Sequence, residues 1–125
     1  MPELTLPSDP HTVTVACDQA DAMVQAAGWS DARRAQVVVA VGEAVGNAIE
    51  HGAGGPITVA MEHSADSLYV VVRDGGGGPT PAHLVRATLP DDPLATHGRG
   101  LYILRQLTDQ LSVDGAGGLC LTFRR

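Results

Sequence analysis

"VVVAVGEAVGNAIEHG", residues 37–52, has the valine and alanine content of a buried helix, yet Glu43, Asn47, Glu50 and His51 stand among those apolar side chains. At about 3.6 residues per turn, Glu43, Asn47 and His51 fall at i, i+4 and i+8 and form one stripe stepping about 6 Å per turn. Val38, Val41, Val45, Ala48 and Ile49 make a separate apolar face, and Glu50 points off the polar stripe toward solvent. A carboxylate and a carboxamide one turn apart either hold a metal ion and a reacting water or hydroxyl, or simply face solvent. The neighbouring segments have to decide.

Working outward, Ser30 is a candidate N-cap for this helix, which stops near Gly52. A first helix precedes it in "SDPHTVTVACDQADAMVQAAG" (8–28): Asp9 caps it, Pro10 takes the first helical position and Gly28 closes it. Val13, Ala16, Ala20, Met23 or Val24, and Ala27 recur there at helical spacing. "ELTL" (3–6) suits a short edge strand. Downstream, "AGGP" (53–56) makes a turn. Ile57, Val59 and Met61 then alternate with Thr58, Ala60 and Glu62, and Leu68, Val70 and Val72 with Tyr69, Val71 and Arg73. This is the period of an antiparallel hairpin turning around residues 63–67.

From Asp74 to Gly98 the chain is irregular, with four prolines and four consecutive glycines, and a short helix is expected near His83 to Ala87. After Gly98, Leu101, Leu104, Leu107 and Leu111 predict a third long helix, and "LSV" and "GLCLTF" two closing strands. The order is strand, helix, helix, two strands, long loop, helix, two strands. It predicts a single α/β domain over residues 1–125: a two-layer α/β sandwich, helices on one face of a mixed, mostly antiparallel sheet.

A chain of 125 residues suits one domain with a self-standing core. Net charge is −6, with eight arginines, no lysine and four aromatic residues, which argues against direct binding of nucleic acid, since that needs a basic face and stacking rings. Without lysine there is no P-loop, so phosphate must be held by backbone N–H groups, arginine or a metal. Cys17 and Cys120 lack any zinc or disulfide spacing and are expected to be buried thiols. His11, His63 and His83 show no metal spacing and are expected at exposed structural positions. With no leader and no long apolar run, the expectation is a soluble cytoplasmic protein that uses no membrane.

Two further stretches carry chemistry. "RDGGGGP" (73–79) follows a strand, and Asp-Gly commonly marks a plain turn. A hairpin would continue with a strand, however, and some twenty irregular residues follow instead, a length typical of lids and binding loops. Gly76 and Gly78 let backbone approach a ligand, and Asp74 at the strand end can accept a hydrogen bond from an amino group such as that of adenine. "THGRGLYIL" (96–104) opens a helix with two glycines, either for close packing or to present free N–H groups to an anion. A Rossmann site is disfavoured, because Ile103 stands where the third glycine of GxGxxG belongs.

With the three stretches in this order, the chain resembles the ATP-binding domain of the GHKL superfamily (Bergerat fold), which includes gyrase-type ATPases and histidine kinases. Glu43, Asn47 and His51 match its N-box, "DGGGG" its first glycine box and "GRGL" its second. Within the superfamily "GRGLYILRQLTDQLSV" is most similar to the anti-sigma-factor serine/threonine kinases of bacterial partner-switching systems. The resemblance implies that Asn47 binds Mg²⁺ bridging the phosphates of ATP, that Glu43 is the general base, and that Asp74 binds the adenine amino group above a floor of Gly76 and Gly78. His51 either tunes that site or is a cation favoured at the helix C-terminus. Gly98, Arg99 and Gly100, flanked by His97 and Leu101, would wrap the phosphates under a lid formed by residues 79–97. It further implies a sigma factor and a STAS-domain anti-sigma antagonist as partners, and a homodimer.

The sequence departs from that pattern at two places. Leu119 stands where a threonine is usual, and Thr96 and His97 stand where some kinases place an arginine. ATP binding remains the expectation. Beside the kinase reading, these departures support a second one: a non-catalytic, ATP-dependent binding module that sequesters its partner.

Overall fold

Two capping side chains start the helical layer. Asp9 accepts a hydrogen bond from the backbone N–H of His11 (2.8 Å), and Ser30 Oγ accepts from that of Arg33 (3.2 Å), each satisfying a donor that the first turn leaves unpaired. The computed structural model describes residues 2–52, 54–74 and 99–125. In chain order they form β1 (Glu3–Leu6), α1 (Pro10–Ala26), α2 (Asp31–His51), β2 (Ile57–His63), β3 (Ser67–Arg73), α3 (Arg99–Leu107), β4 (Gln110–Val113) and β5 (Leu119–Arg124). Ser30→Ala is expected to cost about 1 kcal/mol, read as a lower urea midpoint at unchanged m-value.

The sheet order is β1-β2-β3-β5-β4, and all four pairings among the described residues are antiparallel. Val59 lies opposite Val72, Met61 opposite Val70, Val70 opposite Leu121 and Leu68 opposite Phe123. Because side chains alternate across a strand, these residues share one face. They are buried there against Val24, Val37, Val41, Val45 and Leu104 of the three helices. The expected two-layer sandwich, helices on one face, is thus observed. On the opposite face Ala60, Val71 and Cys120 form a small apolar cluster of their own.

Two sequence expectations shift. The buried face of α2 is Val37, Ala40, Val41, Ala44, Val45 and Ala48, whereas Val38 is half-buried and Val39 is exposed. The stripe is rotated because α2 packs both on the sheet and on α1: a Cβ at Gly42 would stand 3.4 Å from Cys17 Sγ, on α1. The third helix is also shorter than expected. α3 ends at Leu107, and Leu111 lies in β4, opposite Leu121. At Thr108 both the backbone N–H (3.0 Å) and Oγ1 (2.7 Å) bond the Leu104 carbonyl, and the N–H of Asp109 turns to the Thr122 carbonyl (2.8 Å), already a sheet contact.

Arg33, at the start of α2, ties the layers together. Its Nε donates to the Arg124 carbonyl (2.9 Å), Nη1 to the Leu107 carbonyl (3.0 Å) and to Gln36, and Nη2 to Asp109, while the guanidinium lies 5.6 Å from the centre of the Phe123 ring. One cation thereby fixes the last turn of α3 and the end of β5 to α2. At the far end of α1, Gly28 adopts φ +78°, the left-handed conformation that ends helices, and Arg125 donates to the carbonyls of Ala27 and Gly28. No helix among the described residues is long and apolar enough to cross a membrane.

Candidate functional site

The second half of α2 carries the polar stripe. Glu43 and Asn47 are both half-buried, one turn apart, whereas His51 in the last turn is exposed, with Nε2 3.9 Å from Glu50 Oε2. Glu50 is exposed, as expected from its position off the stripe. Among the described residues, a Cβ at Gly46, beside Asn47, would meet nothing within 4 Å.

Asp74 follows the last residue of β3 and comes up against the end of the same helix. A Cβ at Gly52, the C-cap of α2, would stand 3.1 Å from Asp74 Cβ and 3.3 Å from its Cγ, and would press on the Ala48 carbonyl oxygen. Glycine at 52 is what permits this approach of strand end to helix end. Gly52 lies five residues past Asn47, about 7.5 Å along the helix axis. Asp74 therefore stands at the C-terminal end of α2, the end that carries His51, with Asn47 about one and a half turns back along the helix.

The second glycine stretch does open a helix: Arg99 and Gly100 are the first residues of α3. Leu101 and Leu107 pack against the core and Leu104 is fully buried, which fixes α3 alongside α2. Gly76, Gly78, Thr96, His97 and Gly98, together with the expected lid over 79–97 and the short helix near His83, lie outside the described residues. Leu119, the departure from the threonine pattern, is buried on the helix-facing side of the sheet opposite Val72.

Sequence reasoning passed over the neighbours of Asp74. Arg73, on the sheet face turned away from the helices, makes a two-pronged ion pair with Asp114 in the β4–β5 turn, its Nη1 donating to Oδ1 at 2.9 Å and its Nη2 to Oδ2. Asp114 Oδ1 also accepts from the backbone N–H groups of Ala116 (2.9 Å) and Gly118 (2.8 Å). The Arg73 hydrogen bond, then those backbone donors, hold the Asp114 carboxyl down from its ordinary 3.8 to about 2. A depressed carboxylate favours the folded state above its ordinary value, and that contribution is lost only as pH falls through about 2. "SVDGAGG" looks like a turn, and only the long-range partner Arg73 shows what its aspartate does.

The remaining titratable groups point away from chemistry. Both cysteines are free, with Cys120 buried and Cys17 half-buried, and burial pushes the Cys17 thiol above its usual range, so it is a poor nucleophile. His11 and His63 are exposed, and His83 lies outside the described residues. Among the described residues no group of three or more His, Cys, Asp and Glu side chains converges as a metal site. A cation beside Glu43 and Asn47 would have to share a small oxygen donor set with its ligand. That suits Mg²⁺, which keeps several waters and takes one or two protein oxygens next to phosphate.

Residues 6–125 match the model of the histidine kinase-like ATPase domain. The chain is 27% identical to the serine-protein kinase RsbW of Bacillus pumilus (strain SAFR-032), in an alignment covering 98% of this chain and 83% of that protein. It is 26% and 25% identical to the proteins of the same name from Bacillus velezensis and Bacillus subtilis, with the same coverage. The half-buried Glu–Asn pair on α2, the aspartate at its end and a match running through nearly the whole sequence agree with one another: the chain belongs to the histidine kinase-like ATPase domain family.

Proposed function

We propose that this protein is an ATP-binding anti-sigma regulator that acts as a serine/threonine kinase on a STAS-domain antagonist. What supports the reading is that Glu43 and Asn47 stand half-buried one turn apart in the second half of α2 and that Asp74 meets the end of that helix, in a chain similar over almost its full length to serine-protein kinases. In this reading Asp74 accepts a hydrogen bond from the adenine amino group and thereby selects the base. Asn47 offers its carboxamide oxygen to Mg²⁺, and the first turn of α3, with Arg99, Gly100 and Leu101, turns N–H groups and the positive end of the helix dipole toward the phosphates. His97, Gly98, Gly76 and Gly78 complete the binding surface, and His51 tunes its open edge. ATP with Mg²⁺, when bound, supplies the transferable phosphoryl group and most of the neutralising charge. Glu43 orients the attacking hydroxyl and takes its proton on a carboxylate oxygen. The partners are a sigma factor and the antagonist, and the protein acts in the cytoplasm as a homodimer.

The test is incubation of the chain with Mg-ATP and candidate STAS-domain proteins. One of them should become labelled on serine or threonine, and calorimetry should show ATP binding that strengthens with Mg²⁺. Asp74→Asn is expected to weaken ATP by about 10- to 150-fold, the loss of a hydrogen bond to a charged group worth about 1.5–3 kcal/mol. Affinity unchanged by that substitution removes Asp74 from the site. The second reading, a binding module without transfer, is favoured by Leu119, which puts an apolar side chain where the resemblance leads one to expect a hydroxyl. It predicts ATP binding with no labelled partner, and any clear transfer rate overturns it.

A further inference from the structure

The hydrogen-bonded ladder on one side of β3 stops just before Asp74. On the β5 side the last pair is Val72 with Leu119, and on the β2 side it is Arg73 with Thr58. Beyond Val72 nothing in the β5 ladder directs the backbone. At that point the side chain of Arg73 crosses to the β4–β5 turn and meets Asp114, which also takes two backbone N–H groups on the same oxygen that receives Arg73 Nη1. The turn itself is tied by the N–H of Asp114 to the Gly118 carbonyl (2.9 Å) and by a left-handed Gly117 at φ +81°.

We infer that the Arg73–Asp114 pair is a positioning device for Asp74, and that it sets the adenine end of the nucleotide site from the opposite face of the sheet. The inference rests on the assignment of Asp74 to the base. In extended chain, consecutive side chains point to opposite faces. Holding the guanidinium of Arg73 on the outer face therefore fixes the direction in which the next side chain leaves the backbone, inward, against Gly52. An isolated exposed ion pair contributes little to stability, and Arg73 and Asp114 keep 37% and 31% of their side-chain surface exposed. A two-pronged pair reinforced by two main-chain donors is costly in geometry for so small a gain, but it defines direction well.

The space at Gly118 supports the same reading. A Cβ there would stand 2.7 Å from Arg73 Nη1, 2.8 Å from Asp114 Oδ2 and 2.9 Å from Val71 Cγ1. A side chain at 118 would have to displace the ends of both side chains of the pair. Gly118→Ala thus perturbs the device without removing a charge, which separates geometry from electrostatics.

The test is a set of double-mutant cycles read by calorimetry with ATP and with ADP. Asp114→Asn, Arg73→Gln and Gly118→Ala are each made in the wild-type chain and in Asp74→Asn, and urea unfolding is followed in parallel. Each single variant is expected to weaken ATP and ADP alike by about tenfold, equivalent to about 1.4 kcal/mol of coupling, and to cause no further loss once Asp74 is already changed. Arg73→Lys, which keeps the charge but not the fork, should fold as the wild type and still lose several-fold, so the test stands even where Asp114→Asn does not fold. Wild-type affinity in the variants, or losses that simply add to that of Asp74→Asn, would overturn the inference while leaving ATP binding intact. A wild-type chain that binds neither nucleotide overturns the nucleotide assignment itself, and this inference with it.

Discussion

Glu43→Gln is expected to lower transfer of phosphate to a protein hydroxyl by about 10²–10⁴-fold, the range that a positioned general base contributes. The substitution keeps the shape and half-buried setting of the side chain on α2 but replaces the basic carboxylate with a carboxamide that does not take the proton. Asn47 one turn on, Asp74 beyond Gly52 and the start of α3 are untouched, so ATP affinity should stay close to that of the wild type. Measuring the rate and the affinity on the same preparation separates chemistry from binding. A variant that still labels its partner at the wild-type rate would take the base role away from Glu43. Parallel loss of affinity and rate would instead assign Glu43 to binding.

The largest effect on stability is expected at Phe123. Phe123→Ala should cost about 3–5 kcal/mol, since the ring is fully buried and its removal leaves a cavity as well as lost burial. That is a large part of the roughly 5–15 kcal/mol that holds a typical domain folded. The ring lies opposite Leu68 in the sheet and under the guanidinium of Arg33, so its loss also removes one support of the cation that closes the last turn of α3. Urea unfolding by circular dichroism should show the midpoint falling sharply. A loss below about 1 kcal/mol would mean that the core relaxes into the space.

How far the sequence carried this reading depended on how local each cause was. Asp9, Pro10 and Ser30 act on N–H groups within three residues, and the helices they start are where the pattern puts them. The alternation in Ile57–His63 and Ser67–Arg73 is likewise a property of the strands themselves, and so was legible. The rotation of α2 was not, because it depends on α1 fitting against Gly42. Leu111 continued a helical spacing, but the pairing of β4 with β5 claimed it. At the site, the Glu43–Asn47 spacing was evident, whereas the approach of Asp74 to Gly52 and the Arg73–Asp114 pair join residues far apart in sequence, with no local signature.

The way the last two residues are held has a practical consequence for assays. The Arg124 carbonyl is bonded to Arg33, the N–H of Arg125 to the Asp66 carbonyl, and the Arg125 side chain to the close of α1. Arg33 and Asn47 are fourteen residues apart on α2, about 21 Å along a helix axis. A fluorophore or affinity handle attached at Arg125 would sit beside the start of α2, remote from Asn47 and so from the nucleotide site proposed above.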